Sequence, residues 1–226
     1  MTKTLAFDVY GTLIDTHGVV DALEVIIGEE AADFSKQWRD KQLEYSFRHG
    51  LMNDYVDFSV CTRQALEYVA AATGKVLSGS QKDELMQAYS RLPAFSDVED
   101  CLKNAQASGC RIFAFSNGSA AAVSGLLEHA GISGYFEGTV SVETMRTFKP
   151  NPAVYQHFLD TTQSAADRTW LISSNPFDVI GAAKSNWQTV WVQRSQGVIF
   201  DTWGVKPTTV INRLDVLNSS LSLAAE

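Results

Sequence analysis

Thr4-Leu5-Ala6-Phe7-Asp8-Val9-Tyr10-Gly11-Thr12 is a short apolar run that stops at an acid and passes into a Gly-Thr turn. A buried parallel strand delivers a side chain to its C-terminal edge in this way, because it is apolar on both faces and ends where the sheet meets solvent. Taken alone, Asp8 reads equally as a nucleophilic carboxylate or as an acid that orders the turn after it.

From about Val19 to Arg91 strand-like runs vanish and helical spacing takes over. In FSKQWRDKQLEYSFR the residues Phe34, Trp38 and Leu43 recur at roughly helical intervals, and DYVDFSVCTRQALEYVAAATG meets a stop at Thr73-Gly74. After Pro93 the pattern alternates. VEDCLKNAQASG reads as a helix, RIFAFS as a strand and NGSAAAVSGLLEHAG as a helix. A short strand near Gly138 to Ser141 and a helix from about Pro152 follow. RTWLIS is then a strand, PFDVIGAAKS a helix and QTVWVQ the last clear strand, while SSLSLAAE is expected to fray.

Strand-helix alternation with right-handed crossovers predicts an α/β fold with a doubly wound, Rossmann-like parallel sheet. The expected division is an α/β core domain of residues 1–15 and 93–226, with residues 16–92 inserted as a helical cap subdomain. Ligand sites in open α/β sheets lie outside the carboxyl ends of the strands. Four chemically loaded segments follow strand ends here: Asp8 to Thr12, Ser116-Asn117-Gly118, the Lys149-Pro150 loop, and Ser173 to Asp178.

The chain has 226 residues, 45% of them apolar, enough for one large domain or a core with an insertion. Its net charge is −8, from 18 basic and 26 acidic residues with no basic block, which argues against nucleic acid and anionic membranes as partners. The first residues lack the apolar core and small-residue cleavage site of a signal peptide. No apolar stretch reaches the ~18 residues of a membrane span. Cys61, Cys101 and Cys110 make no CxxC pair and are expected to be reduced, so the setting reads as cytoplasmic. His17, His49, His129 and His157 show no ligand spacing and read as structural or solvated.

As a set, FDVYGTLID, WRDKQLEYSF, FSNG, SVETMRTFKPNPAVY and SSNPFDVIGA resemble the haloacid dehalogenase superfamily, and within it the L-2-haloacid dehalogenase branch. The resemblance covers nearly the whole chain. Phosphatases of the superfamily carry a second Asp two positions after the nucleophile and further acids in the last motif that help hold Mg²⁺. Here those positions are Tyr10 and Ser173-Ser174, leaving Asp178. Mg²⁺ prefers a cluster of hard oxygen ligands, and a departing halide needs no proton, so no metal and no cofactor are expected.

The resemblance implies the remaining roles. Asp8 would attack C2 of an L-2-haloalkanoate and form an ester. Arg39, Asn117 and Phe177 would cradle the halide. Lys149 would offset the charge of Asp8 and substrate, with Tyr155 within reach of its ammonium. Ser116, Thr12 and backbone amides would hold the substrate carboxylate and orient Asp8. Ser173, Asn175 and Asp178 would position the hydrolytic water, and Tyr10, Leu43 and Phe58 would wall the alkyl group. Relatives often carry Trp at Phe177 and Gln at Asp40. A homodimer is also implied. Competing readings are a metal-free hydrolase of another small activated carboxylic acid, such as azetidine-2-carboxylate, a Mg²⁺-dependent phosphatase, and a non-catalytic binding module.

Overall fold

The computed structural model describes residues 2–221. In chain order the elements are β1 (Thr4–Asp8), α1 (Val20–Ile27), α2 (Ala31–Leu51), α3 (Phe58–Ala72), α4 (Gly79–Tyr89), α5 (Val98–Ala107), β2 (Arg111–Ser116), α6 (Ala120–His129), β3 (Gly138–Ser141), α7 (Pro152–Thr162), β4 (Thr169–Ser173), α8 (Pro176–Lys184), β5 (Gln188–Val192), β6 (Thr209–Ile211) and α9 (Leu217–Ser220). The strands form one parallel sheet in the order β3-β2-β1-β4-β5-β6.

All five residues of β1 are buried. Successive side chains leave a strand on opposite faces. Leu5 and Phe7 therefore join one apolar cluster with Ile112, Ala114, Ile172 and Val190, while Ala6 joins a second with Phe113, Phe115 and Leu171. Helices cover both faces, which is why the strands are apolar throughout rather than alternating.

The chain runs outward from β1 through β2 to β3, then returns through α7 to β4 on the other side of β1. That reversal opens a crevice at the carboxyl ends of β1 and β4, where Asp8 and Ser173 sit. The turn after β1 requires Gly11 at φ +82°, and its N–H donates to Ile14 O at 2.8 Å.

Helices α1 to α4 lie outside the sheet between β1 and α5, with α2 packed on α3. The chain enters and leaves them through paired segments: Phe95 N donates to Leu13 O at 3.0 Å and Asp15 N to Pro93 O at 2.9 Å. The first apolar cluster continues through these segments into Phe34, Trp38 and Leu66. Among the described residues no helix is long and apolar enough to cross a membrane.

Three features depart from the sequence expectations. A further strand, β6, extends the sheet beyond QTVWVQ; with three residues and Val210 half-exposed it has no legible alternation. The C-terminal segment does not fray at Ser219–Leu221, because Leu217 and Leu221 are buried in the core and Lys3 Nζ donates to Leu221 O at 2.8 Å; residues 222–226 lie outside the described residues. In α2 the fully buried residue after Phe34 and Trp38 is Gln42, and Leu43 is half-buried.

Candidate active site

Asp8 is buried at the edge of β1, and its two oxygens differ. Oδ2 accepts from Thr12 Oγ1 at 2.9 Å, Ser173 Oγ at 3.1 Å and Asn175 Nδ2 at 2.7 Å. Oδ1 accepts only from Lys149 Nζ, at 3.3 Å, among the described residues. Three donors saturate one oxygen and leave the other with spare lone pairs, so the carboxylate is fixed in orientation with Oδ1 as its less engaged end. The fixing groups arrive by different routes. Thr12 comes from the turn at Gly11, and Ser173 and Asn175 from the end of β4 and the start of α8.

Lys149, on the loop before α7, is 1% exposed. Its Nζ donates to Asp178 Oδ2 and to Phe115 O, both at 2.8 Å, and lies 4.0 Å from the Phe115 ring centroid. Asp178, in the first turn of α8, is fully buried; its Oδ1 accepts from Tyr155 Oη at 2.8 Å. Burial pushes the Asp178 carboxyl up to about 6, against the downward pull of Lys149 and in concert with the charge of Asp8. Burial, together with the Asp178 charge and hydrogen bond, holds the Tyr155 phenol well above its ordinary range. Tyr155 thus reaches Asp178 rather than the Lys149 ammonium.

Asn117 Oδ1 accepts from Lys149 N at 2.9 Å, which leaves Nδ2 without an acceptor among the described residues. Arg39, on α2, donates to Gln42 Oε1 at 2.6 Å and to Tyr10 O at 3.3 Å. Asn175 Nδ2 also donates to Tyr10 O at 3.3 Å, so that carbonyl joins the arginine to the Asp8 cluster. Arg39 is not spent on Glu44, which pairs with Lys41 and Arg48. The Tyr10 ring packs on Phe58 and Tyr89 at centroid distances of 5.9 and 6.0 Å, and burial raises its phenol pKa.

Ser116 and two expected wall or cradle residues stand apart from this network. Ser116 Oγ accepts from Gly118 N at 3.1 Å and closes the turn after β2. Leu43 is half-buried on α2, one turn beyond Arg39. Phe177 stacks edge-on against Phe47 of α2 at 5.0 Å and, with Lys149, Phe148 and Trp203, lines an apolar cleft of about 600 Å³.

Four contributors, Ser174, Arg194, Asp97 and Gln42, are not among the site residues expected from the sequence. Ser174 N donates to Thr12 Oγ1 at 2.8 Å and its Oγ to Gly11 O at 2.8 Å, fastening the turn after Asp8. Arg194 Nη2 donates to Thr12 O at 2.6 Å while Nη1 grips both oxygens of the buried Asp97. Gln42 holds Arg39. Ser174 was visible only as one of the serines standing where superfamily phosphatases carry acids.

The residues present do not fit a Mg²⁺ ion. Nζ of Lys149 occupies the space between Asp8 and Asp178, and hydroxyls and an amide fill the remaining positions around Oδ2. Among the described residues, no group of three or more His, Cys, Asp or Glu side chains is placed to hold a metal ion. The cysteines are unpaired, and burial raises Cys61 to about 11 and Cys101 to about 12, so both stay protonated.

Residues 2–186 match the model of the haloacid dehalogenase-like hydrolases. The chain is 35% identical over 217 residues to (S)-2-haloacid dehalogenase H-109 of Pseudomonas putida, covering 96% of each protein. It is 34% identical over 215 residues to haloacetate dehalogenase H-2 of Moraxella sp. (strain B), covering 95% of this chain and 96% of that one. The structure of L-2-haloacid dehalogenase from Xanthobacter autotrophicus with chloropropionic acid covalently bound superposes with a TM-score of 0.91 at 30% identity, covering 98% of this chain and 99% of that one.

Proposed function

Because this chain belongs to the haloacid dehalogenase-like hydrolase family, we propose that it hydrolyses small L-2-haloalkanoic acids to D-2-hydroxyalkanoic acids through an ester on Asp8, without metal. The observation that carries this reading is the asymmetric clamp on Asp8: three donors on Oδ2, and on Oδ1, among the described residues, the ammonium of Lys149 alone.

Oδ1 attacks C2 from the side opposite the halogen. The O–C2 bond forms as the carbon–halogen bond breaks, and the halide leaves with the electron pair toward Arg39, the Asn117 amide and the edge of Phe177. Tyr10, Leu43 and Phe58 wall the alkyl group, with Ser116 near the substrate carboxylate. Lys149 offsets the repulsion between two anions; at 3.3 Å from Oδ1 that attraction is worth several kcal/mol in a partly dry site, against ~1 kcal/mol in water. In the ester, Oδ2 becomes the carbonyl oxygen. Water then adds to Cγ, and the developing oxyanion on Oδ2 meets the hydrogen bonds of Thr12, Ser173 and Asn175. Esterification removes the Asp8 charge, so Asp178, steadied by Tyr155 and Lys149, is the nearest ionised base for the water proton. Collapse breaks the Cγ–Oδ1 bond and releases the hydroxyacid with Oδ1 as its hydroxyl oxygen.

The same reading takes residues 16–92 as a cap closing over a core of residues 1–15 and 93–226, a division supported by the paired hinge segments. It also takes the protein as a cytoplasmic homodimer; exposed Leu51, Met52 and Tyr68 on the helical segment support an association surface. The functional test is halide release from each enantiomer of 2-chloropropionate with chelator present. Release from the L enantiomer alone is expected. Silence on both, with the protein shown folded, or loss of activity in chelator, overturns the proposal.

A further inference from the structure

Gln42 is a long polar side chain with no exposed surface, three residues beyond Arg39 on α2. An amide is tolerated in such a place only when its donors and acceptor are satisfied. Its Oε1 accepts from Arg39 Nη1 at 2.6 Å and from Tyr89 Oη at 3.1 Å, and its Nε2 donates to Thr62 Oγ1. The direction of the amide follows from Thr62. That hydroxyl already donates to Phe58 O at 2.9 Å, so toward Gln42 it can only accept, and the nitrogen must face it. Oε1 is thereby pointed at the guanidinium. The frame behind it is equally fixed: Trp38 Nε1 donates to Thr62 O at 2.8 Å, and Trp38 and Tyr89 stack at 5.3 Å.

We propose that Gln42 is the positioning residue of the leaving-group site. It holds the Arg39 guanidinium against the Tyr10 carbonyl, beside Asp8, through a neutral acceptor. Neutrality is the point of the choice. A carboxylate here would grip Arg39 harder and cancel the charge that receives the halide, whereas an amide fixes direction and leaves the cation whole. Gln42 touches no reacting atom and acts only through Arg39, so the proposal rests on the halide role given to Arg39 above.

The test compares wild type, Gln42→Leu, Gln42→Glu, Arg39→Lys and the double variant Arg39→Lys with Gln42→Leu. Each is assayed at pH 9 on L-2-chloropropionate and L-2-bromopropionate. Chloride is the poorer leaving group and depends more on the cation. Gln42→Leu is expected to lower kcat on the chloro substrate about tenfold with little change in KM, and to lower it clearly less on the bromo substrate. Gln42→Glu should shift the chloro-to-bromo ratio in the same direction, although it should melt below wild type because it sets a carboxylate oxygen against the accepting Thr62 hydroxyl; the ratio is a property of the folded fraction, so it decides the matter even where a variant is less stable. In the Arg39→Lys background, Gln42→Leu should add little. A purely structural glutamine would lower both substrates equally, and an unchanged chloro-to-bromo ratio in both Gln42 variants overturns the proposal. If Arg39→Lys itself leaves the ratio at the wild-type value, the halide role of Arg39 falls; if only the Gln42 variants do, the positioning role falls alone.

Discussion

Replacing Lys149 by Met removes a cation and keeps most of its volume. In the native protein Nζ, 1% exposed, lies 2.8 Å from Asp178, 3.3 Å from Asp8 and 2.8 Å from the Phe115 carbonyl. At such distances each ion pair is worth about 5–6 kcal/mol at an effective dielectric of 20. The desolvation of the ammonium offsets part of this, and breaking a buried pair by removing one partner costs about 3–5 kcal/mol net. The loss has a definite pH dependence. Asp178 already titrates near 6 rather than at its ordinary 3.8, chiefly through burial, and without Lys149 it moves higher still. A carboxyl whose folded pKa is raised binds its proton more tightly in the native state, so native stability falls as pH rises through the interval between the two values. Lys149→Met should therefore be several kcal/mol less stable than wild type at pH 8. At about 2–4 °C of Tm per kcal/mol for a protein of this size, that is a drop of roughly 10 °C. Near pH 5 the deficit should shrink, because protonated Asp178 needs no cation. Urea unfolding followed by tryptophan fluorescence at the two pH values measures both numbers. Equal stability of variant and wild type at pH 8, or a deficit that does not change with pH, refutes the reasoning.

Gly181→Ala should cost about 1–3 kcal/mol by overpacking, because a Cβ there would press on the Tyr155 hydroxyl and lie 2.8 Å from Pro150 Cβ; thermal melts should show the loss, with turnover falling as Tyr155 leaves Asp178. Asp97→Asn should lower stability at pH 7. Burial alone would raise the Asp97 carboxyl, but Arg194 and the Leu214 N–H outweigh it and hold it below its ordinary range, so its contribution is present above pH ~4 and lost as pH falls through the folded value; denaturation at pH 7 and pH 3.5 should show a gap that narrows at the lower pH. The kcat profile of wild type should have an acid limb below pH 6, because Asp178 must be ionised to take the water proton and esterification of Asp8 removes one of the charges that raise it; a profile that stays flat down to the pH of unfolding would remove Asp178 as the base.

The alternation that reveals the sheet is a property of neighbouring residues, and β1, β2, β4 and β5 are apolar enough to show it. What escapes is whatever depends on partners distant in sequence. β6 is too short to carry a period, and Leu217 and Leu221 gain their order only by packing on the core. Gln42 illustrates the limit most clearly: a hydrophobic count passes over it in favour of Leu43, although the polar residue is the buried one because Thr62, Tyr89 and Arg39 satisfy it. The carboxylate-bearing motifs were legible, since their loops end strands at one sheet edge. Their wiring was not: that Tyr155 serves Asp178, or that Ser173 and Asn175 grip Asp8, follows from side-chain geometry that spacing does not encode. Arg194 and Asp97 lie 97 positions apart, and nothing local announces the pair.

The claim on which everything else depends is that Asp8 forms and loses a covalent ester. A single turnover of L-2-chloropropionate in heavy-oxygen water, with enzyme in excess, followed by mass spectrometry of the peptide containing Asp8 and of the hydroxyacid, tests it. Label in Asp8 and an unlabelled first equivalent of 2-hydroxypropionate are expected, since water attacks Cγ and the product carries away Oδ1. Label in the hydroxyacid, with none in Asp8, would mean that water attacks the substrate directly and that Asp8 is no nucleophile.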